Sequence, residues 1–257
     1  VKLGSAYNVF DDCVELLEDS IKSIRDNVDY VSVIYQKVSN YGNPGRPETL
    51  DLLKNLQDQQ LVDDCFIFTP NGIQGSNNEV NKRNYGLQAC RDANCTHFMT
   101  MDCDEYYVAE ELKNAISEII TEGLDTTICS LQNYFKSPTY QIRPFNKLTV
   151  PLIIKLYDNT SFSKRNKFPT LVDPTRKTPP GKWKHFPRET IEMHHFSYVR
   201  RNIIEKLQNS SAKGCFKDID GFIKMYSEYN LGDTFWITEP PGNEHTVEVD
   251  NIFNIQI

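Results

Sequence analysis

Strand-length apolar runs and helical repeats alternate four times between Val1 and Asp102, and this rhythm is the tightest constraint the sequence places on its fold. Val1 to Phe10 reads as a strand. Behind it Val14, Leu17, Ile21 and Ile24 recur at helical spacing, and Asp11 or Asp12 can cap that helix. Tyr30 to Tyr35 is a second strand, Glu48 to Leu61 a helix, Cys65 to Thr69 a third strand, Val80 to Ala93 a helix, and the run THFMTM a fourth strand. The stretches SNYGNPGRP and NGIQGSNN, rich in Gly and Asn, are read as loops. Such alternation predicts an α/β fold, Rossmann-like, whose mostly parallel sheet is flanked by helices and binds ligands at the carboxyl ends of its strands.

After a helix at Glu110 to Ile120 and a strand at Thr126 to Tyr134 the rhythm breaks. Short strands such as VPLIIKLY follow, then a polar, basic, Pro-rich loop from Ser163 to Lys184, a strand at Ile191 to Val199, a helix at Asn202 to Ser210, and a helical tail ending in a strand. Residues 1–135 are thus read as a Rossmann-like half and residues 136–257 as a small mixed subregion, in one continuous domain, since no repeat or low-complexity linker divides them.

With 257 residues, 39% apolar and 25% charged, the chain can bury a sizeable core. A net charge of −7, with no basic stripe, excludes a nucleic acid polymer as a natural partner. The seven cysteines are odd in number and form no CxxC pair, so they are read as reduced core thiols rather than a disulfide framework. No stretch has the apolar length of a transmembrane segment, and Val1 onward lacks a basic region followed by an apolar one. The expectation is a soluble, cytoplasmic enzyme.

The fourth strand runs directly into Asp102, Cys103, Asp104 and Glu105. Carboxylates at i and i+2 point to the same side of an extended segment, so Asp102 and Asp104 can approach one hard cation, Mn²⁺ or Mg²⁺, of the kind that neutralises a diphosphate. The plainer alternative is a solvated acidic turn, but the end of a buried strand is the mouth of the sheet. Glu105 is open between a third ligand, a group that orients its neighbours, and a solvated side chain. Two like charges this close also predict that neutralising Asp104 relieves repulsion in the metal-free protein.

The stretch NKRNYGLQACRDANCTHFMTMDCDEYY resembles the family 2 glycosyltransferases and their relatives with the GT-A fold, in which an Arg-Asn-x-Gly helix start precedes an apolar strand and a D-x-D-E turn. The N-terminal LGSAYNVFDDCVELLEDSIKSIRDNVDYVSVIY is similar to the first strand, helix and second strand of that fold, and IEMHHFSYVRRNIIEKL to a later strand that carries a His. The resemblance implies a metal-dependent glycosyltransferase that moves a sugar from a nucleotide-sugar donor to a hydroxyl, with a saccharide or glycan as the expected acceptor. Residues 1–135 would then bind the nucleotide-sugar, and residues 136–257 would face the acceptor and complete the metal site.

By the same match the metal ligands would be Asp102, Asp104 and His195, with His194 a variable neighbour facing the other way. Nucleotide-sugar contacts would come from Ser5, Tyr7 and Asn8 at the end of the first strand, with Tyr7 stacking on the base, and from Gln36, Arg83, Asn84 and Asp102. Members commonly place an acidic residue after the second strand; this chain has Gln36 and Lys37, which leaves the nucleotide open. The usual Glu-Asp pair that supplies a base is absent, so Asp158, Glu189 and Glu192 are the candidates. The basic run holding Lys164, Arg165, Lys167, Arg176, Lys177, Lys182 and Lys184 is either a solvated loop or a lid over the diphosphate, with Trp183 and Phe186 as a platform for an acceptor sugar. A nucleotidyltransferase of the same fold is disfavoured because LGSAYNVFDD lacks a Gly-rich signature. A non-catalytic carbohydrate-binding protein is the alternative of another class.

Overall fold

The computed structural model describes residues 1–72, 75–210 and 213–257. Its first half alternates as the periodicity predicts: β1 (Leu3–Val9), α1 (Val14–Ile24), β2 (Tyr30–Gln36), α2 (Glu48–Asp58), β3 (Asp64–Phe68), α3 (Gly75–Asp92) and β4 (His97–Asp102). Then come β5 (Glu105–Tyr106), α4 (Ala109–Glu122), β6 (Thr126–Phe135), β7 (Tyr140–Arg143), β8 (Thr149–Lys155), β9 (Trp183–His185), β10 (Glu192–Tyr198), α5 (Ile203–Asn209), α6 (Ile219–Glu228) and β11 (His245–Glu248).

Two helix starts differ from the sequence expectation. Asp11–Cys13 forms a 3-10 turn, so neither aspartate caps α1 directly. The helix expected from Val80 begins at Gly75, because the Asn78 side chain accepts from the Asn71 N–H at 3.0 Å and donates to the Gly72 carbonyl at 3.0 Å, tying the Asn-rich turn to the helix. Residues Ile73 and Gln74 of the expected loop lie outside the described residues.

Strands β3, β2, β1 and β4 lie side by side and parallel, with Asn8 opposite both Ile34 and Asp102, so their carboxyl ends are level. Beyond β4 the sheet is mixed: β8 runs antiparallel to β4 and β6, whereas β10 runs parallel to β6 and pairs antiparallel with β5. The one sheet therefore carries strands from both halves of the sequence.

Strand alternation sorts the core into two faces. Leu3, Tyr7 and Val9 of β1 pack with Leu17 and Ile21 of α1 on one face, while Ala6, Ile34 and Phe98 meet Leu87 and Cys90 of α3 on the other. A third, aromatic cluster gathers Phe135, Phe222, Tyr226, Tyr229 and Phe235 around the tail. Cys90, Cys95, Cys103 and Cys129 are buried free thiols, Cys65 is half-buried and Cys215 is exposed, also free. No helix among the described residues is long and apolar enough to cross a membrane.

Candidate active site

The level ends of β1, β2 and β4 open onto a polar cleft of about 170 Å³ whose walls include Asn8, Gln36, Lys82, Arg83, Asp102 and Asp104. Each arrives by a simple structural route. Asn8 and Gln36 end β1 and β2, Lys82 and Arg83 come from the middle of α3, and His195 and Lys206, which also line the cleft, come from β10 and α5.

The acidic cluster is not an extended run. β4 stops at Asp102, Cys103 and Asp104 form a turn, and β5 starts at Glu105, so the same-side argument for an i and i+2 pair does not describe it. The turn is held by the Asp102 N–H, which donates to Glu105 Oε2 at 3.0 Å. Asp102 and Asp104 nevertheless both face the cleft.

Each carboxylate is paired with cations, and Arg176 serves two of them. Arg83 makes a fork to Asp102, at 3.2 Å to Oδ1 and 3.0 Å to Oδ2, and Arg176 donates to Asp102 Oδ2 at 2.6 Å. Arg176 also grips both oxygens of Glu105. Burial pushes the Asp102 carboxyl up, but Arg83 and Arg176 outweigh it and hold the group below the usual carboxylate range. At Glu105 burial wins, and the carboxyl is raised against the pull of Arg176. Glu105 is thus buried and orients the turn, the second of its three sequence readings.

Asp104 is buried and accepts from Arg200 and, at 3.2 Å, from Lys206. Burial raises its carboxyl, yet Lys206, Arg200 and His195 together hold it well below the usual range. The like-charge repulsion expected at this position is therefore offset by bound cations, and neutralising Asp104 would remove the anion they share rather than relieve strain.

His195 Nδ1 lies 2.9 Å from Asn133 Oδ1, which fixes the tautomer and leaves Nε2 facing Asp104 Oδ1 at 3.7 Å. Burial pushes His195 down to about 4, outweighing Asp104, so the imidazole is neutral. A gap of 3.7 Å is too long for a hydrogen bond but within the span of two ligands on one cation at roughly 2.1 Å each. The donor set suits that role: a neutral imidazole whose other nitrogen is anchored, beside the Asp104 carboxylate. Among the described residues no group of three or more His, Cys, Asp or Glu is placed to hold a metal.

Two further polar groups turn toward the cleft. Lys82 Nζ donates to the Val9 carbonyl at 3.1 Å and to Gln36 Oε1 at 3.0 Å, leaving one of its three protons uncommitted to those acceptors. Asn8 Nδ2 reaches Asp102 Oδ1 at 3.3 Å, while its buried Oδ1 has no partner. An orphaned buried acceptor at the wall of a polar cleft fits a hydrogen-bond donor supplied by a ligand.

No protein-family model and no curated protein matches the chain. The similarities are to solved structures. S. aureus TarS 1-349 aligns at 14% identity over 77% of this chain and 61% of that one, with a TM-score of 0.48. Its complex with UDP aligns at 15% over 74% and 62%, with a TM-score of 0.43. GalNAc-T7 with UDP, GalNAc and Mn²⁺ aligns at 10% over 88% and 50%, with a TM-score of 0.43. Across these three the chain spans about half to three fifths of the matched length, and it spans 22% of full TarS.

Several sequence candidates lie elsewhere. Ser5 and Tyr7 are fully buried, and the Tyr7 hydroxyl sits 3.2 Å from Ser20 Oγ inside the core, so its ring has no face for a base. Asn84 is turned away from the cleft: its amide donates to the Phe162 carbonyl at 3.0 Å and accepts from the Phe162 N–H at 2.8 Å. Neither Arg83 nor Asn84 opens a helix, since α3 starts eight residues before Arg83. Asp158 is exposed beyond Lys155, which lies opposite His97, so it is at the amino end of β4 and the far side of the sheet. Glu189 is exposed before β10, and Glu192 is paired with Arg188. None of the three carboxylates lines the cleft.

The basic run divides too. Arg176 is buried on the acidic cluster, but Trp183 pairs with Thr126 at the amino end of β6, Phe186 is in the core, and Lys184 pairs with Glu118 and Glu122. The aromatic platform is therefore absent from the site. His194 stacks on Tyr134 at 5.9 Å, with Nδ1 2.8 Å from the Tyr134 hydroxyl, and belongs to the core.

Sequence reasoning missed Arg200 and Lys206 as charge partners of Asp104, Lys82 as a cation lining the cleft, and Asp12 and Asp173 as carboxylates lining it. Lys82 precedes Arg83, and Arg200 and Lys206 fall inside the VRRNIIEKL stretch, so the signal was present in motifs read only for their better-known letters.

Proposed function

We propose that this chain is a glycosyltransferase of GT-A type that moves a sugar from a nucleoside-diphosphate sugar to a hydroxyl acceptor. One observation carries the reading: the Asp102 to Asp104 turn and His195 converge with Lys82, Arg83 and Lys206 on a single polar cleft at the carboxyl ends of β1, β2 and β4. Two anchored carboxylates amid the cations Lys82, Arg83 and Lys206 suit a ligand that is both polyhydroxylated and strongly anionic.

Asp104 Oδ1 and His195 Nε2 would hold the divalent cation, Mn²⁺ or Mg²⁺, which when bound stabilises charge on a departing diphosphate. Asp102, locked by Arg83 and Arg176, presents a carboxylate edge to ribose hydroxyls, and Asn8 Oδ1 accepts from the same moiety. Lys82 and Lys206 line the path of the phosphates. For the base we assign Asp173, which lines both this cleft and the larger cavity beside it and carries no ion pair among the described residues. Asp173 takes the acceptor proton as the acceptor oxygen bonds to the anomeric carbon, and the nucleoside diphosphate leaves with the electrons of the broken C–O bond.

The test is a panel of nucleotide-sugars with Mn²⁺, followed by chromatography of the released nucleotide. The expected result is a nucleoside diphosphate from one donor, lost in chelator. Pyrophosphate formed from a nucleoside triphosphate and a sugar phosphate would instead identify a nucleotidyltransferase, and donor binding with no release a carbohydrate-binding protein.

A further inference from the structure

Beside the polar cleft lies a second cavity of about 530 Å³, which shares Asp102, Asp173, His195, Lys206 and Ser210 with it. Its size is that of a site for one small molecule. Its far wall has a different chemistry. Leu131 from β6, Leu148 and Val150 from the start of β8, Met193 from β10, Leu207 from α5 and Phe216 converge there from five parts of the chain.

The polar residues along this cavity are largely committed within the protein. Thr149 Oγ1 is 2.7 Å from Thr170 Oγ1 and reaches the Leu171 carbonyl at 3.1 Å; Thr175 accepts from Arg83 Nε at 3.3 Å; and Arg176 is taken up by Asp102 and Glu105. Phe216, half-buried and in a T-shaped contact with Phe222 at 5.4 Å, adds an aromatic ring to this apolar wall. A saccharide pressed on this wall would bury hydroxyls without partners, whereas an apolar group would lose nothing. Leu148 is 36% exposed and Leu131 half-buried, which leaves the mouth of the cavity apolar and open to solvent.

We infer that the acceptor carries an alkyl or aryl body, seated on Leu131, Leu148 and Phe216 above the buried Val150, Met193 and Leu207, with its reacting hydroxyl directed to the junction at Asp173 and His195. This rests on the glycosyltransferase reading of the adjoining cleft and narrows the acceptor from saccharides in general to hydroxyl compounds with an apolar part.

The experiment separates the two. Calorimetry on the full chain compares n-octyl β-glucoside, below its micelle concentration, with methyl β-glucoside. Each buried methylene contributes roughly fourfold in affinity, so even partial burial of the octyl chain makes it at least about thirtyfold tighter than methyl, with a negative heat-capacity change. Leu131→Asn and Leu148→Asn sit at the rim, where a polar side chain leaves the fold intact by thermal midpoint, and each is expected to cut that ratio at least about fivefold. Equal affinity for the two glucosides, or a ratio that neither variant moves, overturns the inference. Because binding is read without turnover, donor release in the nucleotide-sugar panel decides the transferase reading independently.

Discussion

Asp104 shows how far a residue's surroundings change what its chemistry predicts. As one of two neighbouring carboxylates it reads as a strained ligand; held by Arg200, Lys206 and the facing His195 it is the hub of a buried charge network. Asp104→Asn keeps the shape but removes the charge, and transfer is expected to fall by a factor on the order of 10², about 2.7 kcal/mol of transition-state stabilisation. The same change leaves Arg200 and Lys206 without their shared anion, so the metal-free protein should lose about 3 kcal/mol in urea unfolding. The sign of the pH dependence follows from the depressed carboxyl: its contribution is complete above the unfolded value of about 4 and fades as pH falls toward the folded one. The variant and the parent should therefore differ in stability at pH 7 and converge in acid. A variant as stable as the parent at neutral pH would mean that the network contributes nothing, and near-normal transfer would remove Asp104 from the site.

At the scale of elements, helix α3 explains the Arg-Asn-x-Gly run physically. Arg83 points to Asp102, Asn84 clamps the Phe162 backbone, and Gly86 lets the helix approach the sheet. A Cβ on Gly86 would stand 2.4 Å from Ala6 Cβ and 3.3 Å from Ile34 Cγ1. Gly86→Ala must push α3 off β1 and β2, at a cost of roughly 1–3 kcal/mol, and it carries Lys82 and Arg83 with it. We expect a lowered thermal midpoint together with a weakened affinity for nucleoside diphosphate, measured by calorimetry; an unchanged affinity would detach the helix from the site. The parallel block was legible because its buried strands are continuous apolar runs and α1 keeps a clean helical repeat. The start of α3 was not, because side-chain bonds from Asn78 overrode a composition that normally breaks helices. Asp102, Asp104 and His195 were legible as a motif. Asp173 and the displaced Asp158 were not, since which end of the sheet a loop reaches depends on the antiparallel course of β8, and no local pattern encodes it.

Taken whole, the molecule places two unlike chambers side by side, a polar one at the parallel strands and an apolar one built largely from the mixed half. On the proposed glycosyltransferase reading a cation would sit at their meeting point, and the supply of ligands there would set how it binds. Asp104 and His195 provide two donors, and no group of three metal-binding side chains gathers among the described residues. A divalent cation of the Mg²⁺ or Mn²⁺ type fills the rest of its shell from phosphate oxygens and water. Arg200 and Lys206 already offset the charge of Asp104, so a lone cation gains little by entering. Lone nucleoside diphosphate meets Asp102 and Asp104 with only the protein's own cations to screen it. Each ligand thus completes the site for the other, and linkage makes the gain reciprocal. In thermal unfolding Mn²⁺ alone and nucleoside diphosphate alone should each raise the midpoint by less than about 1 °C. Together, near a hundredfold excess over the joint dissociation constant, they add about 2.7 kcal/mol, which for a chain of this size is roughly 5 °C or more. His195→Ala should abolish the joint shift while leaving the small single shifts in place. Equal stabilisation by nucleoside diphosphate in chelator and in Mn²⁺ would show that the Asp104 to His195 gap holds no metal.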